Sequence, residues 1–145
     1  MYIFNLEPVL NHRKSVEEKL KKELAVLRKM LADENEKLAL YKEKEGEVLK
    51  ELQQERKECA AIFNILLHTR FLERLSSDIE KQKESILDLE EGFDEKREEL
   101  VEAMKKRKVM EKLKENKFNL YQKEVIKKEQ AFMNEVALNI FNRKT

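Results

Sequence analysis

The sequence predicts an all-α protein in which two long helices fold back on each other as an antiparallel coiled-coil hairpin. Three observations predict it. Helix breakers are nearly absent from the 145 residues: there are two glycines, Gly46 and Gly92, and one proline, Pro8. Apolar residues recur with 3-4 spacing over many heptads, first from Ile3 and again from Leu72. The apolar register changes between these two seams. A straight helix has to absorb that change by distortion, whereas a reversal of the chain does not. Charged residues make up 42% of the chain and hydrophobic residues 41%. The second figure is too high for a disordered chain of that charge. The lack of Gly and Pro clusters leaves too few turns for a compact globule.

Taken in order, the first helix is expected over about residues 5–63. Pro8 fits its first turn, where a missing N–H costs nothing. Gly46 is its only breaker, costing about 1 kcal/mol relative to Ala. Its a positions read Ile3, Leu10, Glu17, Leu24, Leu31, Leu38, Glu45, Leu52, Cys59 and Leu66. Its d positions read Leu6, Arg13, Leu20, Leu27, Glu34, Tyr41, Val48, Glu55, Ile62 and Thr69. The charged interruptions weaken the pair and fix its register or orientation. Cys59 falls on an a position, where a small thiol is a core filler.

The second helix is expected over about residues 70–141. Its seam reads Leu72, Leu75, Ile79, Gln82, Ile86, Leu89, Phe93, Lys96, Leu100, Ala103, Arg107 and Met110. It continues through Lys114, Phe118, Tyr121, Val125, Lys128, Phe132, Val136 and Asn139 with successive gaps of four, which unwind a supercoil locally. Tyr41, Phe93, Tyr121 and Phe132 lie on the seams and are expected in the core.

The bend is expected at about 64–69, with Ser76-Ser77-Asp78 as the other candidate because Ser or Asp caps a helix. The apolar run Ala60, Ala61, Ile62, Phe63, Ile65, Leu66 and Leu67 suggests a short helical knot there. Folding near residue 68 sets Leu10 opposite Ile126 and Leu52 opposite Ile86. Residues 1–145 then form a single hairpin.

The net charge of +1, from 31 basic and 30 acidic residues, gives no long-range preference for nucleic acid or an anionic membrane. The charges are unevenly placed. Asp88 to Glu99 is acid-rich and Lys105 to Lys117 base-rich, a pattern that reads as a solvated helix face or as a docking patch for an acidic partner. A single cysteine excludes an intrachain disulfide. The stretch Cys59 to Leu67 falls short of the ~20 residues of a membrane span. No basic n-region precedes an apolar core at the N-terminus. A soluble, cytoplasmic chain without membrane insertion is expected.

Nothing in the sequence points to catalysis, a cofactor or a metal. His12 and His68 stand far apart, and no phosphate loop, metal spacing or nucleophile elbow is present. The expected class is a non-enzymatic interaction protein. An exposed aromatic at the bend, Phe63 or Phe71, is a plausible partner contact.

Three segments resemble a known family. The opening Phe4-Asn5-Leu6-Glu7-Pro8-Val9-Leu10-Asn11-His12-Arg13-Lys14, with Glu17-Glu18 and Glu23-Leu24-Ala25, resembles the start of the FliJ family of flagellar type III export proteins. The ending from Glu129 to Lys144, closing on Asn142-Arg143-Lys144, resembles that family's C-terminal signature. Phe71-Leu72-Glu73-Arg74-Leu75 resembles its segment just after the bend. The resemblance implies a coiled-coil stalk, similar to that of rotary ATPases, that inserts into the hexameric ring of the flagellar export ATPase and promotes its assembly and activity. It further implies contact with the export-gate membrane protein and with export chaperones, and a peripheral place at the inner membrane. Carried over, Arg13, Lys14, Asn142, Arg143 and Lys144 face the ATPase ring, and Phe71 and Leu75 face the gate. Periodicity alone equally fits the stalk of a virulence-type secretion system or a homodimeric coiled-coil scaffold or chaperone.

Overall fold

The computed structural model describes residues 1–59 and 61–144. It is an all-α helical hairpin of two long helices, α1 (Glu7–Lys57, 51 residues) and α2 (Ile62–Lys144, 83 residues). The helix starts are set by backbone groups. The Phe4 carbonyl accepts the Glu7 N–H at 3.0 Å, Pro8 occupies the first turn, and Glu7 places an acid where the helix dipole favours one. At the other end Arg56 and Lys57 complement the C-terminal carbonyls.

The end of α1 is a correction to the sequence reading. Residues 64–69, expected as the bend, are helical and belong to the first turns of α2. The chain leaves α1 after Lys57, and Cys59 takes a left-handed conformation with φ 53°. That is the position where helices commonly place Gly to end in an αL cap. Helix α2 restarts without a side-chain cap: the Ala61 carbonyl accepts the N–H groups of Asn64 and Ile65 at 3.0 and 3.3 Å. Ser76, Ser77 and Asp78 lie inside α2 and cap nothing. Ala60, part of the expected knot, lies outside the described residues.

An earlier reversal changes every partner, because each residue by which the bend moves shifts the opposing residue by two. Contacts divide the chain into two units: Leu20–Glu99, and Met1–Lys19 with the part of α2 from Leu100 onward. In the first unit Glu23 meets Lys96 at 2.9 Å, Glu34 meets Gln82, and Glu55 meets His68 at 2.6 Å. In the second, Glu17 meets Arg107, Glu7 meets Lys114 at 2.8 Å, and Tyr2 packs edge-on to Phe118 with ring centroids 5.4 Å apart. Each unit is thus an antiparallel helix pair. Relative to the expected facing of Leu10 with Ile126, the register is displaced by about two heptads. Both helices of each pair come from one chain, which occupies the seam that a parallel homodimer needs.

The seams themselves hold. In the Leu20–Glu99 unit Val48, Leu52, Leu75, Ile79 and Ile86 are buried, and Tyr41 and Phe93 half-buried. The Gln82 side chain, buried on the seam, donates to the Glu34 backbone carbonyl at 3.0 Å and to its carboxylate. In the terminal unit Phe4, Leu10 and Ala103 are buried together with Glu17, whose carboxylate accepts from Arg107. Toward the bend and the end of α2 the seams fail, with Ile62, Leu66, Phe118 and Val136 exposed, and three further expected core positions are not core. Ile3 is exposed and its neighbour Phe4 takes its place, because residue 3 precedes α1 and does not share its helical register. Cys59 is exposed because α1 has already ended. Phe132 is 66% exposed because α2 runs on past the start of α1 with nothing opposite it.

Candidate partner-binding surfaces

The residues expected to face an ATPase ring all lie in the terminal unit. Arg13 is half-buried on the α1 seam. Lys14 is exposed and borders a groove of about 440 Å³ with Tyr2, Leu10, Glu111, Lys114, Glu115 and Phe118. Asn142, Arg143 and Lys144 end α2 and are exposed. The two sets are not brought together. The level of Glu17, one turn from Arg13, is that of Arg107, and Arg143 stands roughly 50 Å farther along α2 at 1.5 Å per residue. The earlier bend increases this separation, since it lengthens the part of α2 that extends beyond the level of Arg13.

The base-rich stretch is largely a solvated helix face. Arg107 donates to both Glu111, at 2.9 Å, and Glu17; these bonds, Glu111's first, hold the guanidinium pKa above its ordinary value. Lys114 pairs with Glu7 and Lys105 with Glu102. At the acidic side, the Glu23 carboxylate bonded to Lys96 raises that lysine's pKa, with Glu99 adding to it. These pairs join or run along the helices.

An aromatic cluster closes the start of the chain. Tyr2 packs edge-on to Phe118 and against Tyr121 at 5.3 Å, and the Met1 ammonium donates to the Tyr121 hydroxyl at 3.5 Å. The Tyr2 hydroxyl is buried and finds no hydrogen-bond partner among the described residues. Sequence reasoning missed this cluster, because Tyr2 precedes the helix and follows no heptad.

The residues expected to face an export gate lie in the other unit, and they divide. Phe71 is 41% exposed and presents a side chain to solvent. Leu75 is 6% exposed. It sits two turns beyond His68, against the turns of α1 that carry Val48, and holds the pair together. His68 lies between Glu55, at 2.6 Å from Nδ1, and Glu51, at 3.6 Å from Nε2. Instead of a packed knot, the start of α2 displays Ile62, Phe63, Leu66 and Leu67, each 47–83% exposed. The apolar run was legible, but its exposure was not, since that depends on where α1 ends.

Among the described residues no group of His, Cys, Asp or Glu is arranged to hold a metal ion, and no helix is long and apolar enough to cross a membrane. The family model described as "Flagellar FliJ protein" matches residues 2–145. No curated protein sequence and no solved structure matches the chain.

Proposed function

The chain belongs to the FliJ family of flagellar export proteins, and from that premise we propose that it is a stalk of the flagellar type III export apparatus. In this reading its terminal unit inserts into the hexameric ring of the export ATPase and promotes ring assembly and hydrolysis. The bend end, through Phe71 and the apolar side chains before it, contacts the export-gate membrane protein, and export chaperones are transient partners. The protein works in the cytoplasm, held peripherally at the inner membrane by these contacts, and carries out no chemistry itself.

The family match along the whole chain carries this reading. The antiparallel helix pair is compatible with it, since a slender asymmetric insert is what a ring of identical subunits can hold. Mixing the chain with the export ATPase tests it: ring formation and hydrolysis should both rise. The charge reversals Arg13→Glu and Arg143→Glu/Lys144→Glu are best made separately, given their spacing along α2. Loss of stimulation in either, with helicity retained, supports ring contact at that level. A wild-type chain that neither binds nor stimulates the ATPase defeats the proposal.

A further inference from the structure

Past the start of α1 the second helix continues alone, and its last turns carry a pattern that the intrachain seam leaves unused. Tyr121 and Val125 are half-buried at the end of that seam, bordering a groove of about 360 Å³ with Gln122 and Ile126. Beyond Val125 every residue from 126 to 144 is exposed. At about 100° per residue, Glu129, Phe132, Val136, Ile140 and Arg143 stay within one arc of about 80° on α2 and continue the row of Val125. Their spacing is 3-4-4-3, which reads the same in both chain directions about Val136. The charges that close the row are of opposite sign, and each stands seven residues from Val136. Among the described residues neither Glu129 nor Arg143 has an ion-pair partner.

Inside the hairpin, seam charges are met from the facing helix by opposite charge: Glu17 by Arg107, Lys96 by Glu23 and Lys114 by Glu7. A helix that extends this seam needs a cation opposite Glu129, an anion opposite Arg143 and apolar groups between them. The same row from a second copy, turned end for end about Val136, supplies all three. Glu129 of each copy then faces Arg143 of the other, Phe132 faces Ile140, and the two Val136 side chains meet on the axis. A parallel pair sets Glu129 against Glu129 and Arg143 against Arg143, so the charges select the antiparallel arrangement.

We propose that residues 129–143 of α2 pair antiparallel with the same segment of a second copy, joining two chains through their C-terminal overhangs across a twofold axis at Val136. The contact spans about four turns of helix and belongs with small, exchangeable interfaces. It is independent of ring insertion.

Sedimentation of the full-length chain from about 1 to 200 µM, alone and with charge reversals, tests this. Wild type should dimerise as its concentration rises. Glu129→Arg or Arg143→Glu sets like charges at both ends of the row and should weaken the dimer about tenfold. Glu129→Arg/Arg143→Glu together exchanges the signs and should recover the dimer to within about threefold of wild type. In a Cys59→Ser background, spin labels at Asn134, and separately at Gln122, read the direction. Labels on the two copies are offset along the axis by about 6 Å at Asn134 and about 42 Å at Gln122, so a much shorter distance is expected from Asn134. Equal distances mean a parallel pair and overturn the proposal. So do single reversals that dimerise as tightly as wild type, or a double variant as weak as the singles. A chain that stays monomeric throughout the range overturns it too, and vesicles of anionic lipid or the export ATPase added to that chain then identify the other occupant.

Discussion

Replacing Leu75 by Ala separates a residue that holds the fold from one proposed to meet a partner. Leu75 is 6% exposed, on the seam between Ile79 and Leu72. Truncation removes three carbons from that seam. In enclosed cores Leu→Ala costs about 2–5 kcal/mol, the upper values going with cavities that stay empty. A two-helix seam is open at its flanks, so water and neighbouring side chains fill part of the space, and the cost belongs near the lower end, about 2–3 kcal/mol. Phe71, one turn earlier and 41% exposed, has already forfeited much of its transfer gain, so Phe71→Ala costs about 1 kcal/mol. Urea unfolding followed by circular dichroism at 222 nm reads both. With a slope of about 2 kcal/mol per molar, Leu75→Ala lowers the midpoint by about 1 M and Phe71→Ala by about half that or less. A Leu75→Ala midpoint equal to wild type refutes the placement of Leu75 in the seam. Any binding defect of Leu75→Ala then has to be read at a temperature where the variant is folded.

Cys59→Gly should stabilise the chain by about 1 kcal/mol, because a non-glycine residue at φ 53° carries a steric cost that glycine lacks; an unchanged or lower midpoint contradicts the αL turn. The pair Glu34→Leu/Gln82→Leu should leave stability equal or raise it by about 1–2 kcal/mol, since both polar partners leave the seam together. Gln82→Leu made alone gains less than the pair, which a double-mutant cycle reads directly. Lys96 has its pKa raised in the folded chain, chiefly by the bond to Glu23, so its contribution is fully present below about pH 10.5 and disappears as pH rises through the folded value. The melting-temperature gap between wild type and Lys96→Met should therefore be constant from pH 7 to 9 and close above pH 10.5; a gap that widens there contradicts the pairing.

The fold class was written in the spacing of apolar residues. Every position from Leu6 to Glu55 assigned to the first seam is buried or half-buried, including Glu17, Glu34 and Glu45, and the second seam holds from Leu72 to Met110. Periodicity reports which face of a helix is covered. It does not report where the helix stops. Here the stop depends on Cys59 adopting a conformation for which the sequence supplies no glycine, and no Ser, Asp or Asn caps the restart at Ala61. The misplaced bend then carried through to the candidate sites. Phe71 is 41% exposed, whereas Leu75, four residues on, is buried where the second seam placed it. The level of Arg13 and the position of Arg143 along α2 lie farther apart than the expected register sets them, because overhang length is set by the bend. Tyr2 and Phe4 lie outside the helical register, so their packing on α2 had no periodic signal to announce it.

The central claim is that the start of α1 runs antiparallel to the middle of α2 within one molecule, in the register set by Glu17 with Arg107. Spin labels at Ser15 and Lys108, and separately at Ser15 and Asn119, measure it in a Cys59→Ser background, diluted with unlabelled chain. Interaxial spacing of about 8–10 Å puts the first pair within roughly 25 Å including the label arms, and the second pair is offset by roughly another 16 Å along the axis. A shorter distance for Ser15–Lys108 than for Ser15–Asn119 is the predicted result. The reverse order, or distances that vanish on dilution, contradicts the account.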